Sequence, residues 1–226
     1  MVAKKSVPKL SADSKASGLQ TIVLPRPKVG RCMTVFNALQ KRVTIREISE
    51  KKLPLQMLSN LLWAAWGVNR KNGPFGIAGR TAGSASNSQE IELFVALAEG
   101  IYLYEAPSHH LLPALAGDWR TLAIGRGQES WGSKAPVRFI YVVDIDKYKY
   151  SGFPEPGLKD PEVQKSYYYV DTGLIAGNVY LFAASQGLAA WFHNCNKAAL
   201  AKKLKLRTDQ RALFGQTIGY PAKGQP

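Results

Sequence analysis

Cysteine is nearly absent from this chain: Cys32 and Cys195 are the only two in 226 residues. Two thiols make no disulfide framework and suit a reducing compartment. Acidic residues are also scarce, 16 Asp+Glu against 30 Lys+Arg, which leaves a formal net charge of +14. Such an excess attracts anions and supports nonspecific nucleic-acid binding. The cations are scattered, though, with the largest clusters at Lys4-Lys5, Lys51-Lys52 and Lys202-Lys203. No nucleic-acid motif accompanies them, so no specific nucleic-acid partner is expected. The N-terminus has no apolar run long enough for a signal peptide, and a cytoplasmic protein is expected. Histidine is limited to His109, His110 and His193, which with Cys195 give no sensible ligand spacing, so no metal site is expected. Walker A and Gly-x-Ser-x-Gly patterns are missing. Gly125-Arg126-Gly127 lacks both the third glycine and the preceding strand of a dinucleotide fingerprint.

What remains is a chain that is 46% hydrophobic, enough to bury one large core. Residues 1–23 read as a loose basic arm and residues 24–226 as a single domain. Helices are expected at Val35–Arg42 and again after Leu53-Pro54-Leu55, where Leu58, Leu62, Ala65 and Trp66 recur at helical spacing. Asn69 to Gly79 reads as loop. A strand at Ile91–Ala98 and another at Ile101–Tyr104 flank Glu99-Gly100, a hairpin signal. Leu111–Arg126 reads as helical, Val137–Val143 as a central strand and Phe153–Asp160 as loop. Residues 170–192 hold one formal charge, Asp171, in 23 positions. That length fits a membrane span, and Gly173 and Gly177 match a helix-pairing pattern. Asn178, Ser185, Gln186 and Gly187 interrupt the run, so a wholly buried helix of a large globule or dimer is expected instead, with no membrane partner. A helix at Lys197–Lys205 and a strand at Leu213–Gly219 complete an α+β pattern.

Two segments carry chemistry. Lys41-Arg42-Val43-Thr44-Ile45-Arg46 sets two guanidiniums and a hydroxyl at alternate positions, so all three reach one side of an extended segment. Guanidinium binds phosphate bidentately and a hydroxyl adds a donor. Gly79 to Gln89 packs small hydroxyl and amide side chains just ahead of an apolar strand. The amides of Asn87 and Gln89 offer donor and acceptor together, which suits the alternating edge of a flavin pyrimidine ring. Fixed charge for a phosphate and short polar groups for a planar ring are what a phosphorylated, ring-bearing cofactor needs.

These elements resemble the nitroreductase family of FMN-dependent α+β flavoproteins, in particular the branch that includes azoline-peptide oxidases. Arg42-Val43-Thr44-Ile45-Arg46 matches the opening Arg-x-Ser/Thr-x-Arg/Lys element. The Leu58–Asn69 stretch matches a leucine- and tryptophan-bearing helix, and Gly83–Gln89 matches a Pro-Ser-Ser-x-Asn-x-Gln element. Asp171 to Gly187-Leu188 matches the late buried helix, and Ile218-Gly219-Tyr220-Pro221 the closing strand end. The resemblance implies a central, mostly antiparallel sheet surrounded by helices, and a homodimer with FMN at the subunit interface. It implies NAD(P)H as electron donor and ping-pong hydride transfer to a quinone or nitroaromatic acceptor. Alternatives are an azoline-peptide oxidase working with partner proteins and a non-catalytic flavin-binding protein.

Carried over by position, Arg42 and Thr44 would contact the FMN phosphate, with Val43 between them, and Arg46 would lie by the flavin N1/O2 edge. Ser84, Ala85, Asn87 and Gln89 would line the ring and ribityl chain. Gly187 and Leu188 would approach N5, and Lys223 would close on the phosphate. Gly83 and Ala85 depart from the family's proline and second serine. Tyr167, Tyr168 and Tyr169 read equally as a flavin cap or as core, and no catalytic acid or base is assigned.

Overall fold

A computed structural model describes residues 18–28, 30, 33–73, 76–128, 135–153 and 155–223. Cys32 and most of the expected arm lie outside the described residues. In chain order the elements are β1 (Ile22–Val23), α1 (Val35–Lys41), α2 (Leu55–Trp66), β2 (Val68–Arg70), β3 (Gly79–Arg80), β4 (Ile91–Ala96), β5 (Gly100–Glu105), β6 (His110–Ala116), β7 (Val137–Asp144), α3 (Pro161–Gln186), β8 (Ala189–His193), α4 (Lys197–Lys203) and β9 (Gln210–Gly219). Seven strands form one antiparallel sheet in the order β1-β6-β5-β4-β7-β9-β8, and β2 with β3 makes a small separate ribbon.

The expected central strand is β7, buried along its whole length. Alternate residues serve opposite layers. Phe139, Tyr141 and Val143 join Leu93 and Val95 in the core under α2 and α3, which includes Leu61, Leu62 and Val179. Ile140 and Val142 face the other way with Phe94, toward Leu200 of α4. A sheet covered on both faces explains why these strands read as continuous apolar runs rather than alternating ones.

The hairpin expected around Glu99-Gly100 joins β4 to β5, with Leu97 N–H donating to the Gly100 carbonyl at 2.8 Å. Pro54 precedes α2 as its N-cap. Two expectations are corrected. The stretch from Leu111 is not a helix: it is β6, followed by a 3-10 turn at Arg120–Ala123. Leucine and alanine favour helix locally, but pairing of β6 against β5, Tyr104 to Leu111 and Leu103 to Leu112, overrides that preference. The late apolar run also divides. α3 begins at Pro161, capped by the Asp160 carboxylate on Glu162 N–H at 2.8 Å, and ends at Gly187, whose φ of 64° is the left-handed conformation glycine tolerates. Residues 189–192 belong to β8. Nor is α3 wholly buried in one chain: Val170 is 58% and Leu174 47% exposed.

Gly215 of β9 allows the closest approach in the sheet. A Cβ there would lie 2.2 Å from the Ala123 carbonyl oxygen and 2.7 Å from His193 Cε1. Since backbone blocks the added atom on one side, Gly215→Ala is expected to cost about 3 kcal/mol. Urea unfolding with an unchanged m-value is the check.

Candidate functional site

Two polar clusters frame the exposed side of α3. The first is at its C-terminal end. α1 stops at Arg42, whose N–H donates to the Leu39 carbonyl, and the chain then runs extended beside β8, with Ile45 N–H donating to Ala190 at 3.1 Å. Ile45 is buried, while Arg42, Val43, Thr44 and Arg46 are exposed, which is the one-sided display that the alternation implied. The Arg42 guanidinium stands over the Tyr180 ring at 5.7 Å, and the Thr44 hydroxyl lies 3.3 Å from the Tyr180 hydroxyl. That phenol also accepts the Phe192 N–H at 2.8 Å. Tyr180 thus fixes the spacing between the basic segment and the edge strand. The chain end returns to the same place: Ile48 bridges Pro221, and Ala222 N–H donates to Glu47 at 2.9 Å, which sets Lys223 beside the basic segment. Gly187 is exposed with no atom within 4 Å of where a Cβ would stand. Its N–H and that of Leu188 both go to the Ala183 carbonyl, so neither backbone donor is directed at a ligand.

The second cluster is the turn Ser84–Gln89. It holds three non-glycine residues at positive φ, Ser86 at 49°, Asn87 at 53° and Gln89 at 52°. Each such residue costs on the order of 1 kcal/mol, so the turn persists because its surroundings force it. Arg80 Nε donates to Gln89 Oε1 at 2.7 Å, and Gln89 Nε2 donates to the Ala78 carbonyl at 2.7 Å and to Asn87 Oδ1 at 3.0 Å. Gln89 is therefore a brace with both ends used. Ser84 Oγ accepts Gln89 N–H at 3.0 Å, which leaves its own proton to donate elsewhere. Ser86 Oγ donates to Glu155, which also receives the Tyr167 hydroxyl at 2.9 Å.

Beneath the turn lie two buried carboxyls. Asp171 of α3 accepts Ala85 N–H at 2.9 Å, and Glu90 accepts the Ser88 hydroxyl at 2.6 Å. Burial, and then the neighbouring Asp171 carboxylate, push Glu90 up to about 8; burial raises Asp171 as well. Glu90 Oε1 makes no hydrogen bond, and burial there favours the protonated acid. The pair then shares one proton at neutral pH. Arg80, buried and stacked over Trp66 at 5.3 Å, is lowered to about 10 by burial and stays cationic.

α3 separates the clusters. From Asp171 to Gly187 is 16 residues, about 24 Å at helical rise. Around Asp171 the helix exposes Val170 and Leu174, with Gly173 and Gly177 open to approach, and α1, packed on α3, exposes Val35, Phe36 (85%) and Leu39. One chain brings Arg42, Val43, Thr44, Arg46, Gly187, Leu188 and Lys223 to one end, and holds Ser84, Ala85, Asn87 and Gln89 near Asp171.

Sequence reasoning missed Tyr180, Arg80, Glu90 and Glu155 as supports. Asp171 was visible as the lone charge of an apolar run, without its role. The three tyrosines divide: Tyr168 is core, Tyr169 packs on Phe214 at 5.8 Å, and Tyr167 reaches Glu155. No group of three or more metal-ligating side chains occurs among the described residues. His193 is buried between Thr217 and the Asn194 carbonyl and lowered by burial to about 4, so it is neutral; burial raises the free Cys195 thiol to about 11, which keeps it unreactive. Among the described residues no helix is long and apolar enough to cross a membrane.

Comparison with known proteins places this geometry. The sequence profile of the nitroreductase family matches residues 39–220. A nitroreductase relative from Methanocaldococcus jannaschii is 28% identical over 159 residues, covering 67% of this chain and 74% of its own. A nitroreductase crystal structure from Ralstonia eutropha JMP134 superposes with a TM-score of 0.76 at 31% identity, covering 92% of each chain. The Escherichia coli microcin synthetase McbBCD complex, solved with truncated pro-MccB17 bound, contains a chain of the same fold. It has a TM-score of 0.67 at 18% identity and covers 98% of this chain and 85% of that one. By the profile match across most of its length, this chain belongs to the nitroreductase family.

Proposed function

We propose that this nitroreductase-family oxidoreductase is an FMN-dependent homodimer that takes reducing equivalents from NAD(P)H and passes them to a quinone or nitroaromatic acceptor. The observation that carries this reading is the placement of two complementary clusters at Asp171 and at Gly187, the two ends of one stretch of α3, with an exposed apolar patch of Val170, Leu174 and the α1 residues Val35, Phe36 and Leu39 beside it. A two-fold pairing of that stretch sets the basic end of one chain against the turn of its partner, which a single chain about 24 Å apart along α3 cannot do.

The donor set fits FMN. Arg42 is exposed with its guanidinium already oriented by Tyr180, and Thr44 carries a free-facing hydroxyl beside it, so both suit a phosphate. Lys223 adds a third positive charge from the strand end. Arg46 supplies the cation for the pyrimidine edge. From the second chain the Ser84 hydroxyl proton would be offered to the ring, while Asn87 is held in the turn, its oxygen accepting from Gln89 and its nitrogen donating to the Ile77 carbonyl at 3.4 Å. Gly187 contributes room for close approach rather than a donor. FMN, when bound, supplies two-electron hydride chemistry, receiving from the nicotinamide and delivering to the acceptor in ping-pong order. The chain's own residues bind, orient and shield; none is assigned as acid or base.

A second reading, oxidation of peptide azolines with partner proteins, draws on the fold likeness to a chain of McbBCD. An absorption spectrum followed by anaerobic NADH and NADPH titration separates the two. Flavin bands that bleach support the reductase, and flavin bands that persist support the peptide oxidase or a binding role. A protein that neither carries nor takes up FMN would overturn both. Arg42→Ala is expected to weaken FMN about 10- to 100-fold, the worth of one charge-assisted phosphate contact, as read by fluorescence titration.

A further inference from the structure

A cleft of about 510 Å3 opens between the first turns of α3, α4 and the start of β9; Tyr168 and Tyr169 line it, and no residue of the basic segment, the Ser84–Gln89 turn or the Gly187 end does. That volume suits a small organic ligand. Cations from three separate elements converge on it: Lys165 of α3, Lys197 of α4 and Arg211 of β9. Its one lining carboxylate, Glu162, is already engaged with Lys165 at 3.4 Å. Among the described residues neither Lys197 nor Arg211 forms an ion pair.

The rest of the lining is built for a ring. Tyr169 presents a partly exposed face, held by its contacts with Tyr168 at 4.8 Å and Phe214 at 5.8 Å. The Arg211 guanidinium shares the cleft wall with the Tyr168 phenol, whose ionised form its charge favours. Lys197 lies over Phe214 at 5.4 Å. Ala198, Ala201 and Ala212 leave open the space that larger side chains would fill. A ringless anion would satisfy the cations and leave these faces wet. A neutral ring would leave the cations unpaired.

We propose that this cleft is a binding site for an aromatic carboxylate, with its carboxylate on Arg211 and Lys197 and its ring between Tyr169 and the α4 alanines. Guanidinium meets carboxylate bidentately, and a phenol ring stacks on a second ring at low entropic cost. The site is distinct from the flavin clusters, so the inference stands whether or not the chain turns over.

The test is 19F NMR of 4-fluorobenzoate titrated with the protein saturated with FMN, or with the protein as purified if it takes none. The neutral 4-fluorobenzyl alcohol and the ringless fluoroacetate are run alongside. Saturable binding of the benzoate, at least ten times tighter than either control, is expected. Arg211→Gln should weaken it at least tenfold by removing charge. Ala198→Phe should weaken it as much by filling the cleft from an exposed position on α4 without touching charge, and Lys52→Gln should leave it unchanged. Circular dichroism melts establish that each variant is folded. The proposal is overturned if the benzoate does not bind, if the alcohol binds as well, or if binding survives both Arg211→Gln and Ala198→Phe.

Discussion

Leu174→Arg is expected to yield a monomer that no longer retains FMN. In one chain this side chain is 47% exposed, so the substitution disturbs little of the chain's own core. On the proposed pairing face it would bury a guanidinium of each chain away from water. Unpaired buried charge costs several kcal/mol per ion, enough to convert a tight dimer into monomers at micromolar concentration. FMN affinity should fall at least a hundredfold, since half of each site would be withdrawn. Leu174→Met, of similar volume, should remain dimeric and yellow. Sedimentation velocity with flavin absorbance read on the same cell decides the matter. A Leu174→Arg protein that sediments as a dimer and holds its flavin would disprove the shared groove.

The second large effect concerns Glu90 and Asp171. Glu90 binds its proton more tightly in the folded chain, at about 8, than at the ordinary value of 4.5, because of burial and then Asp171. As pH rises the unfolded chain therefore loses this proton first. The contribution of the group is fully present below the ordinary value, declines between, and is lost above about 8. The slope approaches about 1.4 kcal/mol per pH unit in the middle of that window. Glu90→Gln cannot ionise, so its stability relative to wild type should climb from pH 5 to 8 and then level, by roughly 8–15 °C in Tm. Tyr148, held protonated by burial and by both carboxyls, adds no charge in this range. Asp171→Asn keeps an oxygen for Ala85 N–H and should flatten the pH trend to the part that burial of Glu90 alone produces, with modest loss. Asp171→Ala strands that N–H, for about 1–3 kcal/mol, and should loosen the turn. Thermal melts across pH, with Glu90→Gln as reference, test this; parallel curves for wild type and Glu90→Gln would remove the shared proton.

How much of this was legible in the sequence depended on the range of the forces involved. The exposure of Arg42, Thr44 and Arg46 and the presence of a polar turn before β4 were legible because both rest on local residue type and spacing. β7 was legible because eight buried positions leave a continuous apolar run. β6 was misread as helix because leucine and alanine carry no local strand signal; what makes it a strand is β5, reached through a turn with His109 at a φ of 57°. The start of α3 at the Asp160-Pro161 cap lies ahead of the apolar run, because its first turns are polar and largely exposed and carry no apolar signal. The supports of the turn lay furthest out of reach. Asp171 meets Ala85 across 86 positions and Tyr180 meets Thr44 across 136, and nothing in either local neighbourhood announces the partner. Sequence displayed the groups that would touch a ligand; the groups that hold them still are a property of tertiary packing.

Both margins of the large sheet are closed to further strands. On one side β1 covers β6 for only two residue pairs, and the uncovered part contains Pro113, which has no N–H to offer a newcomer. On the other, the Ile45 N–H already occupies the Ala190 carbonyl of β8, and the Tyr180 hydroxyl occupies the Phe192 N–H. An unprotected sheet margin invites chain-to-chain zippering and aggregation. Here the same residues that position the basic segment also block that route. Mutations that free β8, at Ile45 or Tyr180, would be felt first as loss of solubility on storage rather than as loss of activity.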